Sequence, residues 1–311
     1  MKKRLKILFI TCHMESYIEK STYYLGEELK KSCNLTYWYK DGKLPDIINQ
    51  LQQPPDFILF NDQRPNYCPR IRNIDRVLIP KGTLVHDIHY RKGWRKKFYQ
   101  KNQIEHLFVQ YRYAFLKWYP EFQNQMIWLP HHVPGHIFKD LKLQKDINLL
   151  MLGSLIKGFY PLRVQMFNQL SKRPDFRYFQ HPGYRNIQSQ KAIIGENYAK
   201  LMNRSKIFLT CDSVYKYPLL KYFESLGCGT LLLAPGSKEL QELGFVNGET
   251  FVEVNEKDFL EKVNFYLRNE DLRNQIITNG KKLIQQRHTT EIRARQLLRH
   301  IERIIKNKKG G

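Results

Sequence analysis

Two stretches of this sequence gather residue types that do chemistry. The first is LLKYFESLGCGTLLLAP, Leu219 to Pro235, where Lys221 and Glu224 are the charged residues of an otherwise apolar run turning on Gly227 and Gly229. Three positions apart, the two share a helix face. A carboxylate there can accept two hydroxyl hydrogens at once, which is what holding the cis-diol of a ribose requires. A lysine nearer the helix N-terminus can face phosphate, where the helix dipole also favours negative charge. The alternative is an i,i+3 salt bridge on a partly exposed helix, worth roughly a few tenths of a kcal/mol. The second stretch is HDIHY, with His86, Asp87 and His89. Read as a strand, it sets His86 and Ile88 opposite Asp87 and His89. Asp87 could then serve as a general base, while a metal site would want more ligands and a structural histidine at a strand end stays open.

A third stretch is a matter of charge. RKGWRKKFYQK, residues 91–101, interleaves six cations with Trp94, Phe98 and Tyr99. Such a pattern can bind nucleic acid or an anionic membrane interface, or it can be a solvated basic helix face. The surface set expected from it is Arg91, Lys92, Arg95, Lys96 and Lys97. The whole chain carries 52 Lys and Arg against 29 Asp and Glu, a net charge of +23. A field of that sign attracts nucleic acid, anionic lipid, anionic polymers or nucleotide phosphates without choosing among them.

These residues need elements to hold them. The 311 residues are too many for one ordinary core and suit two domains. A hydrophobic content of 42% and an aromatic content of 13% supply the apolar surface for two cores and argue against disorder. The five cysteines are scattered, odd in number and without a CxxC, so they read as small buried hydrophobes in a reducing compartment. The N-terminal MKKRLKILFITCHMESY begins like a signal peptide, but its apolar run is short and polar residues follow at once. It reads as a first buried strand, and the chain is expected in the cytoplasm.

Along the chain, LKILFIT, NLTYWYK, DFILFN, TLVHDIHY, HLFVQYRY and MIWLP are strand candidates, separated by segments of helical spacing. HHVPGHIFKDLKLQKD loses periodicity. A second series follows in INLLMLG, DFRYFQ, KIFLT, TLLLA and TFVEV, with helices beginning near Pro161, Ile193, Pro218 and Lys238. After Glu256 the chain reads as helical to about Lys306, and Leu297, Leu298, Ile301, Ile304 and Ile305 form an apolar stripe suited to docking. Alternating strands and helices predict an α/β fold of parallel sheets: two Rossmann-like domains facing across a cleft. The expected boundaries are 1–133 for an acceptor domain, 134–146 for a linker, 147–287 for a donor domain, and 288–311 for a helix returning to the first domain.

KYFESLGCGTLLLAPGSKELQELGFVNGETFVEV resembles the donor-binding half of GT-B glycosyltransferases, and is most similar to the spore-maturation type, glycosyl transferases group 1 branch. LLMLGSLIKGFYPLR is similar to the start of that domain, HPGY at His181 to Tyr184 and YAKLMNRSKIFLT fit the same branch, and TLVHDIHY resembles the H-D segment of the acceptor half. The resemblance implies that Glu224 binds the ribose of a nucleotide-diphosphate sugar, most simply a UDP-sugar, that Arg163 and Lys221 meet the diphosphate, and that His86 approaches the sugar. Gly153, Ser154, His181 and Tyr217 complete the implied donor set, with His86 and Asp87 as the catalytic pair. It implies no cofactor and no metal. Two features depart from the pattern: Lys216 stands where the commonest subclass has a second glutamate, and CHMES replaces a Gly-Gly loop after the first strand.

The reading is a metal-independent glycosyltransferase whose acceptor is a glycan, lipid-linked or polymer molecule, itself anionic or on an anionic surface of a spore or cell envelope. Peripheral association with the inner face of an anionic membrane fits that reading, and nucleic acid is not an expected partner. The alternatives are a basic binding protein for nucleic acid or anionic polymer, and an inactive GT-B structural protein. Glu224 separates the first, because a polyanion groove gains nothing from a carboxylate.

Overall fold

The computed structural model describes residues 4–183 and 193–310. The chain forms two compact units, Met1–Pro130 together with Glu291–Gly311, and His131–Thr290.

In the first unit, β1 (Lys6–Ile10), β2 (Asn34–Trp38), β4 (Phe57–Phe60), β6 (Lys81–Val85), β7 (His106–Val109) and β8 (Met126–Trp128) form a parallel sheet of order β2-β1-β4-β6-β7-β8. Two short strands, β3 (Gly42–Lys43) and β5 (Ile71–Arg72), pair separately. The helices are α1 (Ser21–Ser32), α2 (Leu44–Asn49), α3 (Lys92–Lys101) and α4 (Arg112–Trp118). Continuous apolar runs such as FILF in β4 are buried at every position, which requires cover on both faces of the sheet. One face is closed by α1 and by the last helix of the chain, α11 (Thr290–Gly310). Leu25 and Leu29 of α1 and Ala294, Leu297, Leu298 and Ile301 of α11 pack on Ile7, Phe9, Phe57 and Leu59. Each such fully buried side chain contributes about 1.5–3 kcal/mol.

In the second unit, β9 (Ile147–Leu152), β10 (Phe176–Phe179), β11 (Ser205–Leu209), β12 (Leu231–Ala234) and β13 (Val252–Glu253) form a parallel sheet of order β10-β9-β11-β12-β13. Its helices are α5 (Pro161–Leu170), α6 (Gly195–Asn203), α7 (Leu220–Gly227), α8 (Lys238–Glu242), α9 (Phe259–Arg268) and α10 (Glu270–Arg287). The chain leaves β9 for β10 on one side and returns to β11 on the other. That reversal of strand order places a ligand crevice beyond the carboxyl ends of β9 and β11.

Two local expectations change. β6 stops at Val85, so His86 and Asp87 lie in the loop past its carboxyl end and the alternate-face argument does not apply to them. Residues 134–146, expected as a linker, belong to the second unit. They pack there: a Cβ at Gly227 would come within 2.8 Å of the Phe138 carbonyl. Gly229 has the other glycine role, because it holds φ +68 where α7 ends. There the Thr230 N–H donates to Ser225 O and the Gly229 N–H to Leu226 O, a Schellman closure.

Candidate functional site

The crevice beyond β9 and β11 collects most of the expected donor residues. Gly153 and Ser154 follow β9 directly, Arg163 stands on the first turn of α5, and Lys221 and Glu224 share one face of α7. Arg163 is 1% exposed. Its guanidinium donates to Ser154 O at 3.1 Å and to Thr210 Oγ1 and Cys211 O at 3.3 Å, its Nε has no partner, and the Tyr160 ring lies 4.1 Å away. Lys221 Nζ donates to Leu152 O at 2.9 Å. The Glu224 charge, on the same helix face, acts on it favourably. Glu224, 8% exposed, accepts the Tyr198 hydroxyl at 3.0 Å.

Arg163 and Lys221 converge. A Cβ at Gly153 would stand 3.1 Å from Arg163 Nη1 and 3.2 Å from Lys221 Nζ, and Gly153 itself has φ +132. Glycine is thus required twice over, for the backbone angle and for room beside two cations. Both cations donate to backbone carbonyls, Arg163 to Ser154 O and Lys221 to Leu152 O, and the Glu224 charge acts on Lys221. Desolvating a cation beside a like charge is costly. Burial first, and the Arg163 charge second, push Lys221 down to about 8. His181 is likewise pushed down to about 4 by burial and by Lys221 and Arg163, so it is neutral near pH 7. Its Nδ1 accepts the Gly183 N–H at 3.0 Å, which leaves the proton on Nε2. Tyr184, which ends the HPGY motif, lies outside the described residues. Tyr217 is buried and stacked on Tyr215 at 5.7 Å.

Four residues here were not anticipated: Tyr160, Tyr198, Thr210 and Asp212. Thr210 and Asp212 immediately follow β11, so the strand-end rule could have found them. Burial raises the Asp212 carboxyl, opposed by Lys216 at 3.6 Å. Lys216, in place of the subclass glutamate, stands at φ +57.

The expected catalytic pair lies in the first unit, beyond β6. The His86 N–H donates to Asp62 Oδ2 at 2.9 Å, and its Nε2 lies 3.3 Å from Asn61 Oδ1. Asp87 is ion-paired with Arg64. The expected cationic surface needs one correction. Arg91, Lys92 and Lys97 are exposed, and Lys96 pairs with Glu121 at 2.7 Å, but Arg95 is fully buried and pairs with equally buried Asp62 at 2.6 Å. Its side chain points into the core, where Asp62 compensates its charge. Among the described residues no three His, Cys, Asp or Glu side chains are grouped to hold a metal ion, and no helix is long and apolar enough to cross a membrane.

A parallel sheet that reverses strand order beside a cationic crevice offers a place for a phosphate-bearing ligand, and the sequence narrows the class. The chain belongs to the glycosyl transferase-like family, whose model matches residues 136–299. No curated protein matches it in sequence. Among solved structures it is similar to a sucrose-phosphate synthase from Thermosynechococcus elongatus, with a TM-score of 0.70 and 13% identity over 98% of this chain and 100% of that one. It is also similar to a glycosyltransferase from Rickettsia africae, with a TM-score of 0.65 and 12% identity over 99% and 100%. Anabaena HepE in complex with UDP gives a TM-score of 0.66 and 10% identity over 96% and 100%. The fold is therefore that of the GT-B glycosyltransferases.

The Lys221 shift makes a pH prediction. An anion binds the ammonium form. Above about pH 8 the free protein has lost that proton, so binding must take one up. Affinity for a nucleoside diphosphate should fall as pH rises from 8 to 10, by up to about tenfold per unit. Calorimetry at pH 9 in two buffers of different ionisation enthalpy should show proton uptake, and Lys221→Met should abolish it. Uptake that persists in the variant would assign the proton to another group.

Proposed function

We propose that the protein transfers a sugar from a nucleotide-diphosphate sugar held by the second unit to an acceptor held by the first. The observation that carries this reading is the convergence of two cations, buried Arg163 and half-buried Lys221, on Gly153 at the sheet's switch point. They supply the charge that a diphosphate needs on binding and on leaving. The reaction therefore runs without a resident metal or other cofactor. Glu224 takes the ribose diol, one helical turn from Lys221. UDP-sugars are the first donors to test, because HepE, of the same fold, is seen with UDP and with UDP-glucose. His86 and Asp87 act at the sugar.

The acceptor is a glycan, lipid-linked or polymer molecule of a spore or cell envelope, as in the spore-maturation branch. Its negative charge, or that of the membrane carrying it, meets exposed Arg91, Lys92 and Lys97 on and beside α3. A net charge of +23 far exceeds what a nucleotide-sugar needs and supports the anionic acceptor and peripheral attachment at the inner face of the membrane.

The test begins with hydrolysis of UDP-sugars, acceptor omitted and a chelator present. Slow release of UDP is expected, and its absence across a donor panel would reject the reading. Glu224→Ala, with Glu224→Gln as the variant that keeps the Tyr198 hydrogen bond, should weaken UDP binding by about 1.5–3 kcal/mol, the worth of a hydrogen bond to a charged group. Unchanged affinity in a folded Glu224→Ala protein would remove the ribose role.

A further inference from the structure

The first unit has a recess of its own, between the carboxyl ends of β1 and β2 and the start of α1. Thr11, Cys12, Glu15, Tyr23, Glu27 and Tyr39 are on its wall. Its chemistry differs from that of the rest of the molecule. Of its charged groups, Glu15 and Glu27 are acids and Lys30 is the single base, and Lys30 is already engaged by Glu27 at 2.7 Å. The recess is therefore net negative in a chain of net charge +23. Glu15 is exposed and makes no hydrogen bond or ion pair among the described residues.

The aromatic side of the recess is built in. The rings of His13 and Tyr39 stack at 3.9 Å, and those of Tyr39 and Tyr37 at 5.6 Å. Tyr37 lies across α1 against Gly26, where any Cβ would strike its hydroxyl. A glycine inside a helix costs about 1 kcal/mol against alanine, and here it seats an aromatic wall. Tyrosine edges and hydroxyls beside the exposed Glu15 carboxylate and Glu27, whose Oε1 already accepts from Lys30 and Tyr37, suit a ligand with apolar C–H faces and several hydroxyl donors. The same carboxylates repel phosphate, sulfate and carboxylate groups.

We propose that this recess binds an uncharged sugar ring, the accepting end of the acceptor, while the acceptor's negative charges are held elsewhere, by the exposed cations of the α3 segment. This rests on the glycosyl-transfer reading above and sharpens it: the molecule is anionic as a whole, but the residue that receives the sugar is neutral. Glu15 and Glu27 accept its hydroxyl hydrogens, and the tyrosines line its C–H faces.

Cys12 gives a direct test. It stands on the recess wall and is partly exposed, while the other four cysteines are buried. Its alkylation by N-ethylmaleimide can be followed by mass spectrometry with saturating nucleoside diphosphate present. Methyl glucoside, N-acetylglucosamine and N-acetylmannosamine are the neutral probes; glucose 1-phosphate and glucuronate are the charged ones. At least one neutral sugar should slow Cys12 alkylation several-fold, and the charged sugars should not. In Glu15→Gln that protection should weaken, and the KM for acceptor should rise about tenfold with donor hydrolysis unchanged. Equal or better protection by the charged sugars would overturn the proposal, as would no protection by any neutral one. Donor hydrolysis is read separately, so loss of the recess assignment leaves the transferase reading standing, and failure of the transferase reading is seen as absent hydrolysis.

Discussion

Arg163→Met should lower affinity for a nucleoside diphosphate on the order of a hundredfold, about 3 kcal/mol, while affinity for the nucleoside alone changes by less than about threefold. The argument is electrostatic. The guanidinium is 1% exposed, bonded to two carbonyls and one hydroxyl, and unpaired with any acid. Lys221, depressed to about 8, adds a like charge beside it. The free protein therefore holds two adjacent cations, only one of which feels a nearby acid, Glu224, and an anion would offset both. Replacing an uncompensated buried charge with an apolar side chain of similar volume is often neutral or stabilising. The ligand-free variant should melt within a few degrees of the parent, or above it, and the rise in melting temperature produced by a saturating nucleoside diphosphate should disappear. A variant that loses nucleoside and diphosphate affinity equally, or that melts far lower, would make Arg163 a folding residue.

The grouping of residues in the second unit's crevice was legible because their spacing is local. Lys221 and Glu224 are three apart on one helix, and Arg163 follows the first strand of its unit by a short loop, so spacing alone brings them to one end of the sheet. Their neighbours come from distant segments. Tyr198 reaches Glu224 from α6, and Asp212 enters from the end of β11. Only the strand order, which decides where the sheet reverses, says that these segments meet. The alternation of elements made both parallel sheets readable, and the stripe Leu297, Leu298 and Ile301 marked the last helix as one that docks.

The first unit was harder for the same physical reason. His86 was placed on a strand that ends one residue earlier, since an apolar-polar alternation does not show where hydrogen bonding to the next strand stops. Glu15 and Tyr39 are unremarkable in sequence and meet only because β1 and β2 are adjacent. Arg95 was counted with its cationic neighbours because a run of basic residues hides which one faces inward. Its spacing to Tyr99, one turn later and also buried, marks the inner face of α3. Its partner Asp62 lies at the end of β4, on the far side of a loop and a strand.

That partner makes Arg95 the residue whose loss should be felt most in stability. Arg95 and Asp62 are both fully buried and 2.6 Å apart. Arg95 Nε also donates to Tyr90 O at 2.9 Å, and Asp62 Oδ2 accepts the His86 N–H. One ion pair thus ties α3 to the loop that carries the expected catalytic histidine. Arg95→Met would strand a carboxylate in the core, and breaking a buried pair from one side costs about 3–5 kcal/mol. All four tryptophans, Trp38, Trp94, Trp118 and Trp128, belong to the first unit, so tryptophan fluorescence in urea follows that unit. The double variant Arg95→Met with Asp62→Asn removes both charges and should recover most of the loss, giving a coupling well above about 1 kcal/mol. If Arg95→Met instead costs under about 1 kcal/mol at pH 7, the pair does not bear on stability and the link from α3 to His86 fails with it.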